Sequence, residues 1–448
     1  MDAGIAMLER IVMLLDMNAF FAAIEQQCNP HLRGKPVLVC GNPTTRTIVT
    51  AASYEARPFG IKSGMPLGEA LRLCPQAVLV EGDPGKYVDT ARHIQEMLLQ
   101  FSPQVEIFSI DEAFVEVPPG QDPFEMARAF KAQLKANFGL TCSIGIGPNK
   151  LVAKLAAGME KPDGLVWIRR ADISRVFESL PVSELCGIGP RIEKRLQALG
   201  IFTLGQLGRA SPSPLKAHFG NFWGEQLAKM GRGIDDSPVI SCLYEPMARS
   251  STATAAAGGG LAVIKSLGHS YTLHRDTYDM EEVKAHLLRL SLMVGRRLRA
   301  EKFAGRTLRL TLRTGDFTTL CRHRTFPRWF YHGRQIYQGA LYILQRISFK
   351  GPVRMIGVAV ANLVKGIRPR EIFLDNDKIE ALERAEDAVL NRFGEFSLKP
   401  AALPQLTYES PSTIAQESSK REEGKWTFTS EPAASHSLAG ARRFILTR

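Results

Sequence analysis

Residues 105–117 read VEIFSIDEAFVEV, and this stretch decides how the chain is expected to fold. Apolar and β-branched residues on both sides of Asp111-Glu112 have the composition of β-strands, so the acidic pair lies where one strand passes into the next. Two carboxylates held side by side on a rigid sheet repel each other unless a cation lies between them. A metal ion is one cation that would remove the repulsion.

A third carboxylate follows another short apolar run near the start of the chain. Residues 11–15 (IVMLL) predict a buried strand that ends at Asp16. One carboxylate at a strand end and a pair on a neighbouring strand are the minimum set of ligands for a site with two cations. Two cations about 3.5–4 Å apart can hold the attacking and the leaving oxygen of a phosphoryl transfer. Hard oxygen ligands of this kind suit Mg²⁺.

Each of these acids also has a structural explanation. Asp16 could be the N-terminal cap of the helix predicted to follow it, and Asp111-Glu112 could be a solvated strand end. Taken singly, the structural explanations are favoured. Taken together, they require a coincidence, so the combination favours the metal site.

Composition limits the class of protein. Hydrophobic residues make up 45% of the 448 residues, which is ordinary for a globular protein. No apolar run approaches the length of a membrane span, and the N-terminus lacks a basic-then-apolar signal layout. Seven cysteines, odd in number and without a CxxC pair, argue against a disulfide framework or a zinc module. We expect a cytoplasmic protein with no membrane partner.

The positive charge is concentrated in one segment. The net charge is +12, yet residues 261–370 alone contain 21 Lys and Arg against 6 Asp and Glu, so the rest of the chain is slightly acidic. Most of these cations are arginines, whereas an excess of solvating charge would be more evenly spread and richer in lysine. The segment therefore predicts binding to a polyanion, and nucleic acid is the favoured one.

The acidic stretches belong to a longer series of motifs. Residues 16–25 (DMNAFFAAIE) and 109–113 (SIDEA) resemble the palm motifs of Y-family translesion DNA polymerases, and among these the DNA polymerase IV (DinB-type) branch. Further matches follow in the expected order, and the similarity covers about residues 10–370. These matches are ASYEAR at 52–57, FGIKSGMP at 59–66, GIGPNK at 145–150, AKLA at 153–156 and KPDG at 161–164.

The resemblance implies an α+β multidomain fold, a right-hand polymerase. Its parts would be a ferredoxin-like palm, small fingers, a helical helix-hairpin-helix thumb and a tethered α/β little-finger domain. The expected boundaries are 1–18 and 82–174 for the palm, 19–81 for the fingers, 175–240 for the thumb, 241–260 for a flexible linker, 261–368 for the little finger, and 369–448 for a C-terminal helix with a mostly disordered tail.

The resemblance also assigns roles to individual residues. The catalytic carboxylates would be Asp16, Asp111 and Glu112, which with the main-chain carbonyl of Met17 would hold two Mg²⁺ ions. Phe21 would be the steric gate that excludes a ribose 2′-hydroxyl. The expected nucleotide-binding residues are Phe20, Phe21, Tyr54, Arg57 and Lys161. From the sequence alone, Tyr54 and Arg57, three apart at a predicted helix start, could equally be a surface stack.

Two positions depart from the family pattern. Asn18 stands where many relatives have a second aspartate. Ala51 stands where many relatives have a hydroxyl residue, so one phosphate hydrogen bond is expected to be absent. Ala51 and Ala52 would form a small-residue roof over the new base pair, which is typical of a permissive site.

Contacts with DNA are expected in two places. Gly187 and Gly189 form a Gly-x-Gly turn of the helix-hairpin-helix type, whose backbone amides can approach a phosphate, although such a turn alone is usually only a turn. In residues 307–313 (TLRLTLR) the leucines share one face of a predicted strand, while Arg309 and Arg313 share the other, cationic face.

Together these features predict a template-directed DNA polymerase for translesion synthesis, with low fidelity and no proofreading, which adds deoxynucleotides to a primer 3′-hydroxyl. Its partners would be primer-template DNA and deoxynucleoside triphosphates, and the protein would be a monomer. The sliding clamp is a further expected partner, through the partial matches at 405–408 (QLTY) or 372–374 (IFL). Two alternatives stay open: a nucleotide cyclase with a similar palm, and a catalytically weak DNA-binding accessory of the same fold.

Overall fold

The computed structural model describes residues 10–243, 264–366 and 376–394, together with residues 397–398 and the short strands at 428–429 and 445–446. Most of the predicted linker, both partial clamp motifs and most of the predicted tail lie outside these residues. The chain divides into two compact units. The first comprises Met1–Pro43, Thr47–Tyr244 and Lys425–Arg448, and the second Thr44–Arg46 and Glu245–Gly424. No helix in the described ranges has the length and apolarity needed to cross a membrane.

Among its described residues the first unit contains ten α-helices, two sheets formed by the first eight strands of the chain, and a third sheet of two short strands near the C-terminus. The strands are β1 (Val12–Met17), β2 (Val37–Cys40), β3 (Val49–Ala52), β4 (Val78–Glu81), β5 (Val105–Ile107), β6 (Glu112–Glu116), β7 (Cys142–Gly147) and β8 (Leu165–Trp167). The helices are α1 (Phe20–Cys28), α2 (Leu67–Leu73), α3 (Pro84–Leu98), α4 (Pro123–Phe138), α5 (Lys150–Met159), α6 (Ile173–Phe177), α7 (Pro190–Gln197), α8 (Leu204–Arg209), α9 (Pro212–Phe219) and α10 (Asn221–Gly231).

The larger sheet has the strand order β5-β6-β1-β7-β8. Residues 12–15 of its central strand β1 are apolar, as expected where both faces of a strand are covered. Val12 and Leu14 pack in one core with Ala153 of α5, whereas Met13 and Leu15 pack in another with residues of α3 and α4. A Cβ on Gly145 of β7 would lie 2.1 Å from the backbone of α5, so only glycine permits this close packing.

The smaller sheet has the order β3-β2-β4, with α2 beside it, and forms a separate core. One local prediction here is wrong. The predicted helix start at Tyr54 and Arg57 is a turn followed by a 3₁₀-helix, Arg57–Phe59. Pro58 and Gly60 explain the short element, because Pro58 lacks an amide hydrogen and Gly60 ends the turn with φ +82°.

The second unit is one antiparallel sheet with helices. Its described elements are β9 (Ser266–Thr277), α11 (Met280–Ala300), β10 (Phe303–Thr314), β11 (Thr319–Phe330), α12 (Gly333–Leu344), β12 (Val353–Lys365) and α13 (Asn376–Phe393). The strand order is β11-β10-β12-β9. The predicted alternation in β10 is confirmed, since Leu308, Leu310 and Leu312 are fully buried. The two remaining short strands, β13 (Phe428–Thr429) and β14 (Ile445–Leu446), belong to the first unit and pair with each other.

Strand β11 is not predicted by the sequence pattern. It is an edge strand whose residues are mostly exposed, so it carries no apolar alternation, and Pro327 lies within it. Helix α13 lies at about the expected place. It is fixed to the unit by ion pairs from Arg299 to Glu383 (3.0 Å) and Asp387 (2.8 Å).

Candidate active site

Strand pairing brings the predicted carboxylates together. Asp16 at the end of β1 is the register partner of Glu112 at the start of β6. The amide of Met17 donates a hydrogen bond of 2.9 Å to the carbonyl oxygen of Asp111. All three acids line one cavity of about 260 Å³ at this end of the sheet. The arrangement follows from the pairing register, because a shift by one residue would turn Asp16 to the opposite face.

The structural explanation for Asp16 is not supported. The residue at the N-terminus of α1 is Ala19, in the left-handed conformation at φ +46°, and no side chain caps the helix there. The Asp16 carboxylate instead forms an ion pair with the ammonium group of Lys161. The two residues are far apart in sequence, so the contact exists only in the folded chain.

The other two acids also have partners. Lys154 on α5 donates a 2.5 Å hydrogen bond to Glu112 Oε1, and Ser109 Oγ donates one of 2.5 Å to Asp111 Oδ1. Burial raises the pKa of the Glu112 carboxyl above its ordinary value; the Lys154 ammonium opposes this rise, and the Asp16 carboxylate adds to it. The pKa of Glu112 is therefore raised mainly by burial at this strand end, and the nearby Asp16 carboxylate is a smaller cause.

The contact of Lys154 with Glu112 is not predicted from the sequence. A signal is present, because Lys150 and Lys154 are four apart on α5 and share a face. Lys150 pairs with Glu106 on β5 at 3.0 Å, just as Lys154 pairs with Glu112 on β6. The helix therefore supplies two cations to the acidic strands.

The predicted nucleotide-binding residues line the same cavity as the carboxylates. They are Phe20, Phe21, Tyr54, Arg57 and Lys161. The Arg57 guanidinium lies over the Tyr54 ring, 4.1 Å from its centre. Burial raises the pKa of the Tyr54 phenol, and Arg57 opposes the rise, so Tyr54 is protonated at neutral pH and can donate a hydrogen bond. The Tyr54–Arg57 stack, which the sequence could equally have placed on the surface, is present, and both of its residues line the cavity.

Of the two alanines expected in the roof, Ala51 lines the cavity, next to Thr50. Ala52 is buried in the core of the smaller sheet. The alternation of side chains along β3 explains the difference, since neighbouring residues of a strand point to opposite faces.

The ring of Phe21 packs against a residue that the sequence did not indicate. Its ring stacks on that of Tyr87 in α3, with centres 4.2 Å apart and planes 10° from parallel. The Tyr87 hydroxyl donates a 2.7 Å hydrogen bond to Glu25, which also pairs with Lys86 at 2.8 Å. Phe21 is therefore held on a rigid base, with little freedom to move away from the cavity.

Lys161 is positioned by a turn that another lysine holds. Lys131 Nζ on α4 donates to the carbonyl of Cys142 (2.7 Å) and to Asp163 Oδ1 (2.6 Å). These bonds join the turn at residues 161–164 to strand β7. The aspartate of the KPDG motif therefore holds the turn in place. The lysine of the same motif places a positive charge in the cavity.

Comparison with known proteins identifies the family. Residues 15–158 match the impB/mucB/samB family, residues 264–371 the C-terminal domain of that family, and residues 183–235 the DNA polymerase-iota thumb domain. DNA polymerase IV of Pelotomaculum thermopropionicum is 40% identical over 394 residues, covering 86% of this chain and 94% of the relative. DNA polymerase IV of Moorella thermoacetica is 40% identical over 392 residues, with the same coverage.

The chain belongs to the Y family of DNA polymerases, in the DNA polymerase IV branch. A Y-family DNA polymerase chimera of known structure has a TM-score of 0.68 and 27% identity, and the match covers 79% of this chain and 99% of the chimera. The predicted fold class, a multidomain α+β right-hand polymerase, is thereby confirmed. Membership assigns the chain to a class of DNA-directed DNA polymerases, rather than to the nucleotide cyclases.

Membership of the Y family implies dependence on divalent metal ions. The donor set fits such ions in kind, because three carboxylates and a main-chain carbonyl are hard oxygen ligands. Within the described ranges, however, no three acidic, imidazole or thiol side chains converge closely enough to hold an ion as they stand. Lys161 and Lys154 neutralise Asp16 and Glu112, and Ser109 holds Asp111. An ion would have to displace these partners.

The residues predicted to contact DNA do not line the cavity that contains the three acids. Gly187 adopts φ +99°, and Gly189 is the N-cap of α7, so the turn presents backbone amides at a helix N-terminus. A left-handed φ of this kind favours glycine at position 187. In the second unit Arg309 is exposed and Arg313 is half-buried on β10. Their role in DNA binding remains a prediction.

Proposed function

We propose that this Y-family polymerase performs template-directed translesion DNA synthesis with low fidelity and without proofreading, by two-metal phosphoryl transfer to a primer 3′-hydroxyl. One observation carries the proposal. A single cavity is lined both by the carboxylates of Asp16, Asp111 and Glu112 and by the cationic and phenolic groups of Arg57, Lys161 and Tyr54. Acids together with triphosphate-binding groups in one cavity are the parts that phosphoryl transfer requires.

The carboxylates and the carbonyl of Met17 would hold two Mg²⁺ ions. When bound, magnesium neutralises the charge on the transferring phosphoryl group. The residues of the chain would position the nucleotide. Arg57 and Lys161 would hold the triphosphate, with Tyr54 donating a hydrogen bond, so that the α-phosphate lies near the primer hydroxyl. A nucleotide that draws Lys161 towards its phosphates would also release Asp16 from its present ion pair.

Low fidelity follows from the wall of the cavity. Ala51 offers little surface against which a base pair could be tested for shape. A permissive pocket would accept damaged template bases that a tighter pocket rejects. Proofreading would need a second acidic cluster of the nuclease type, which the sequence does not indicate.

Phe21 would select deoxynucleotides by collision of its ring with a ribose 2′-hydroxyl. Because Tyr87 supports the ring, Phe21 cannot retreat. We expect Phe21→Ala to reduce discrimination against ribonucleotides by at least about tenfold, since a steric clash is removed. Single-nucleotide insertion with matched deoxy- and ribonucleotides measures the ratio. Phe124→Ala, a substitution of a different partly buried Phe on α4, is the control. An unchanged ratio in Phe21→Ala would contradict the role.

DNA would be held by Gly187 and Gly189 of the thumb and by Arg309 and Arg313 of the little finger. The Arg-rich second segment supports this proposal. We further propose a cytoplasmic monomer that binds the sliding clamp through residues 405–408 or 372–374. Clamp binding rests on the habit of the family, since these residues are only partial matches to a clamp-binding peptide.

Primer extension with and without Mg²⁺ tests the proposed reaction. Wild-type protein should extend a primer only with the metal, and Asp111→Ala should lose nearly all extension, because catalysis depends on charge neutralisation at fixed positions. Glu96→Gln, which removes an exposed acid on α3, should extend normally. Substantial extension by Asp111→Ala would refute the site. Absence of extension by wild-type protein would favour the DNA-binding accessory.

A further inference from the structure

Asn18 is a buried polar residue beside the nucleotide cavity, 4% exposed, and its side chain makes three hydrogen bonds. Its Nδ2 donates to Thr141 Oγ1 at 3.0 Å. Its Oδ1 accepts from Ser143 Oγ at 3.0 Å and from the Tyr54 hydroxyl at 3.3 Å. The amide therefore links the end of β7 to a proposed triphosphate-binding residue.

The hydrogen bond from Tyr54 to Asn18 has a consequence for nucleotide binding. A phenol has one hydrogen to donate. While that hydrogen points at Asn18 Oδ1, the Tyr54 oxygen can offer only lone pairs to the cavity, and these repel the oxygens of a phosphate. Tyr54 can contact a triphosphate favourably only if its proton is released from Asn18.

An amide can release this proton while keeping three hydrogen bonds of its own. Rotation of the Asn18 side-chain amide by a half turn exchanges Nδ2 with Oδ1. The amide nitrogen then donates to the oxygens of Tyr54 and Ser143, and Oδ1 accepts from Thr141, whose hydroxyl can reverse its direction. The Ser143 hydroxyl changes from donor to acceptor and gives up its present acceptor, so the exchange has a cost that the new contact of Tyr54 with the triphosphate would offset.

A carboxylate at this position could not make the exchange. An ionised aspartate has no hydrogen to donate and attracts the Tyr54 proton more strongly than an amide oxygen does. The amide of Asn18, in place of the aspartate common among relatives, therefore matters for Tyr54.

We propose that Asn18 is a positioning residue for nucleotide binding, whose amide turns to donate to the Tyr54 oxygen and thereby frees the phenol proton for a triphosphate oxygen. The inference rests on the proposed polymerase function. It concerns the affinity for nucleotide, because the Tyr54 contact is made in the bound ground state and kept during reaction. A change at Asn18 should therefore alter KM more than kcat.

A double-mutant cycle tests this coupling. Single-nucleotide insertion is measured at saturating Mg²⁺ for wild type, Asn18→Asp, Tyr54→Phe and the double variant. We expect each single variant to raise KM for the deoxynucleotide about tenfold with kcat within about twofold, the effect of one hydrogen bond to a charged group. The double variant should be no worse than Tyr54→Phe, because the phenol through which Asn18 acts is gone.

Asn137→Asp, the same chemical change on α4 away from the cavity, is the matched control and should leave KM unchanged. Unchanged KM in Asn18→Asp would overturn the inference. So would a rise of equal size with and without the Tyr54→Phe substitution, which would mean that the added charge acts through the neighbouring carboxylates. A fall in kcat at constant KM would also overturn it.

A second variant keeps the test valid if Asn18→Asp does not fold. Thr141→Val preserves shape and removes the hydroxyl that anchors the other end of the amide. It should raise KM about threefold when Tyr54 is present and have no effect when combined with Tyr54→Phe, as expected for partial loss of one hydrogen bond. Equal effects in both backgrounds would refute the inference. Inactive wild-type protein would refute the polymerase function itself, a distinct outcome.

Discussion

The five-stranded sheet of the first unit and the four-stranded sheet of the second unit place their functional side chains in different ways. The first sheet carries three acids at one end, where Asp16 of β1 and Glu112 of β6 meet by register. The second sheet carries Arg309 and Arg313 along one face of β10. Catalysis requires a few groups at fixed distances, whereas holding a DNA backbone requires charge spread over a surface.

The open face of the second sheet is suited to such contact. Beside Arg309 on the same face lie Ala359 of β12 and Gly268 of β9, which are register partners. A Cβ on Gly268 would come within 2.6 Å of the Ala359 side chain, so the glycine keeps the two strands closely packed. Small residues beside Arg309 leave room for a sugar-phosphate backbone to approach. Substitution of an acid on the first sheet should therefore abolish nearly all extension, whereas substitution of an arginine on the second sheet should weaken DNA binding only in part.

The largest effect should come from Asp16→Asn. Loss of one of the proposed catalytic carboxylates should lower the rate of extension at least about 1000-fold. The dissociation constant for primer-template DNA should change by less than about twofold, because Asp16 lies in the nucleotide cavity. Rapid-quench extension and fluorescence anisotropy measure the two quantities separately. Equal losses of extension rate and of DNA affinity would contradict the separate roles assigned to the two sheets.

A smaller effect concerns the stability of the second unit. Burial lowers the pKa of His286 to about 4, with Glu282 opposing this shift, and His286 stacks on Tyr271 with ring centres 5.1 Å apart. The unfolded chain protonates this histidine near pH 6.5 while the folded chain keeps it neutral, so its contribution to stability is complete above pH 6.5 and is lost as the pH falls towards 4.

We expect His286→Phe to remove up to about 3 kcal/mol of the loss of unfolding free energy between pH 6.5 and 4.5. Urea unfolding at several pH values measures it. His323→Gln, at an exposed histidine on β11, should keep the wild-type slope. A wild-type slope in His286→Phe would show that surface charge, rather than one buried ring, sets the acid sensitivity of this unit.

The smallest effects should come from the arginines. Arg309→Ala and Arg313→Ala should each weaken DNA binding a few-fold and lower the slope of log Kd against log salt by about 1. Extension at saturating DNA should not change. Arg322→Ala is the matched control, because Arg322 pairs with Leu310 and so lies on the opposite face. An equal loss in the control would mean that total charge, and not the face, decides binding.

Much of the active site could be predicted from the sequence. Acids at the ends of apolar strands have no oppositely charged neighbour in the sequence, so Asp16, Asp111 and Glu112 are conspicuous in the chain. The proposed nucleotide-binding residues are predicted by resemblance, and they line one cavity with the acids. The buried leucines of β10 follow from periodicity, which depends only on local geometry.

Only the tertiary structure decided which side chains meet. The pairing of Lys154 with Glu112, the support of Phe21 by Tyr87 and the bonds of Asn18 join residues from 36 to 125 positions apart. Strand β11 is recognisable only from its pairing with β10. Sequence pattern records the faces of single helices and strands, because that periodicity is local. Contacts between elements depend on register and packing, which are set by the whole core at once.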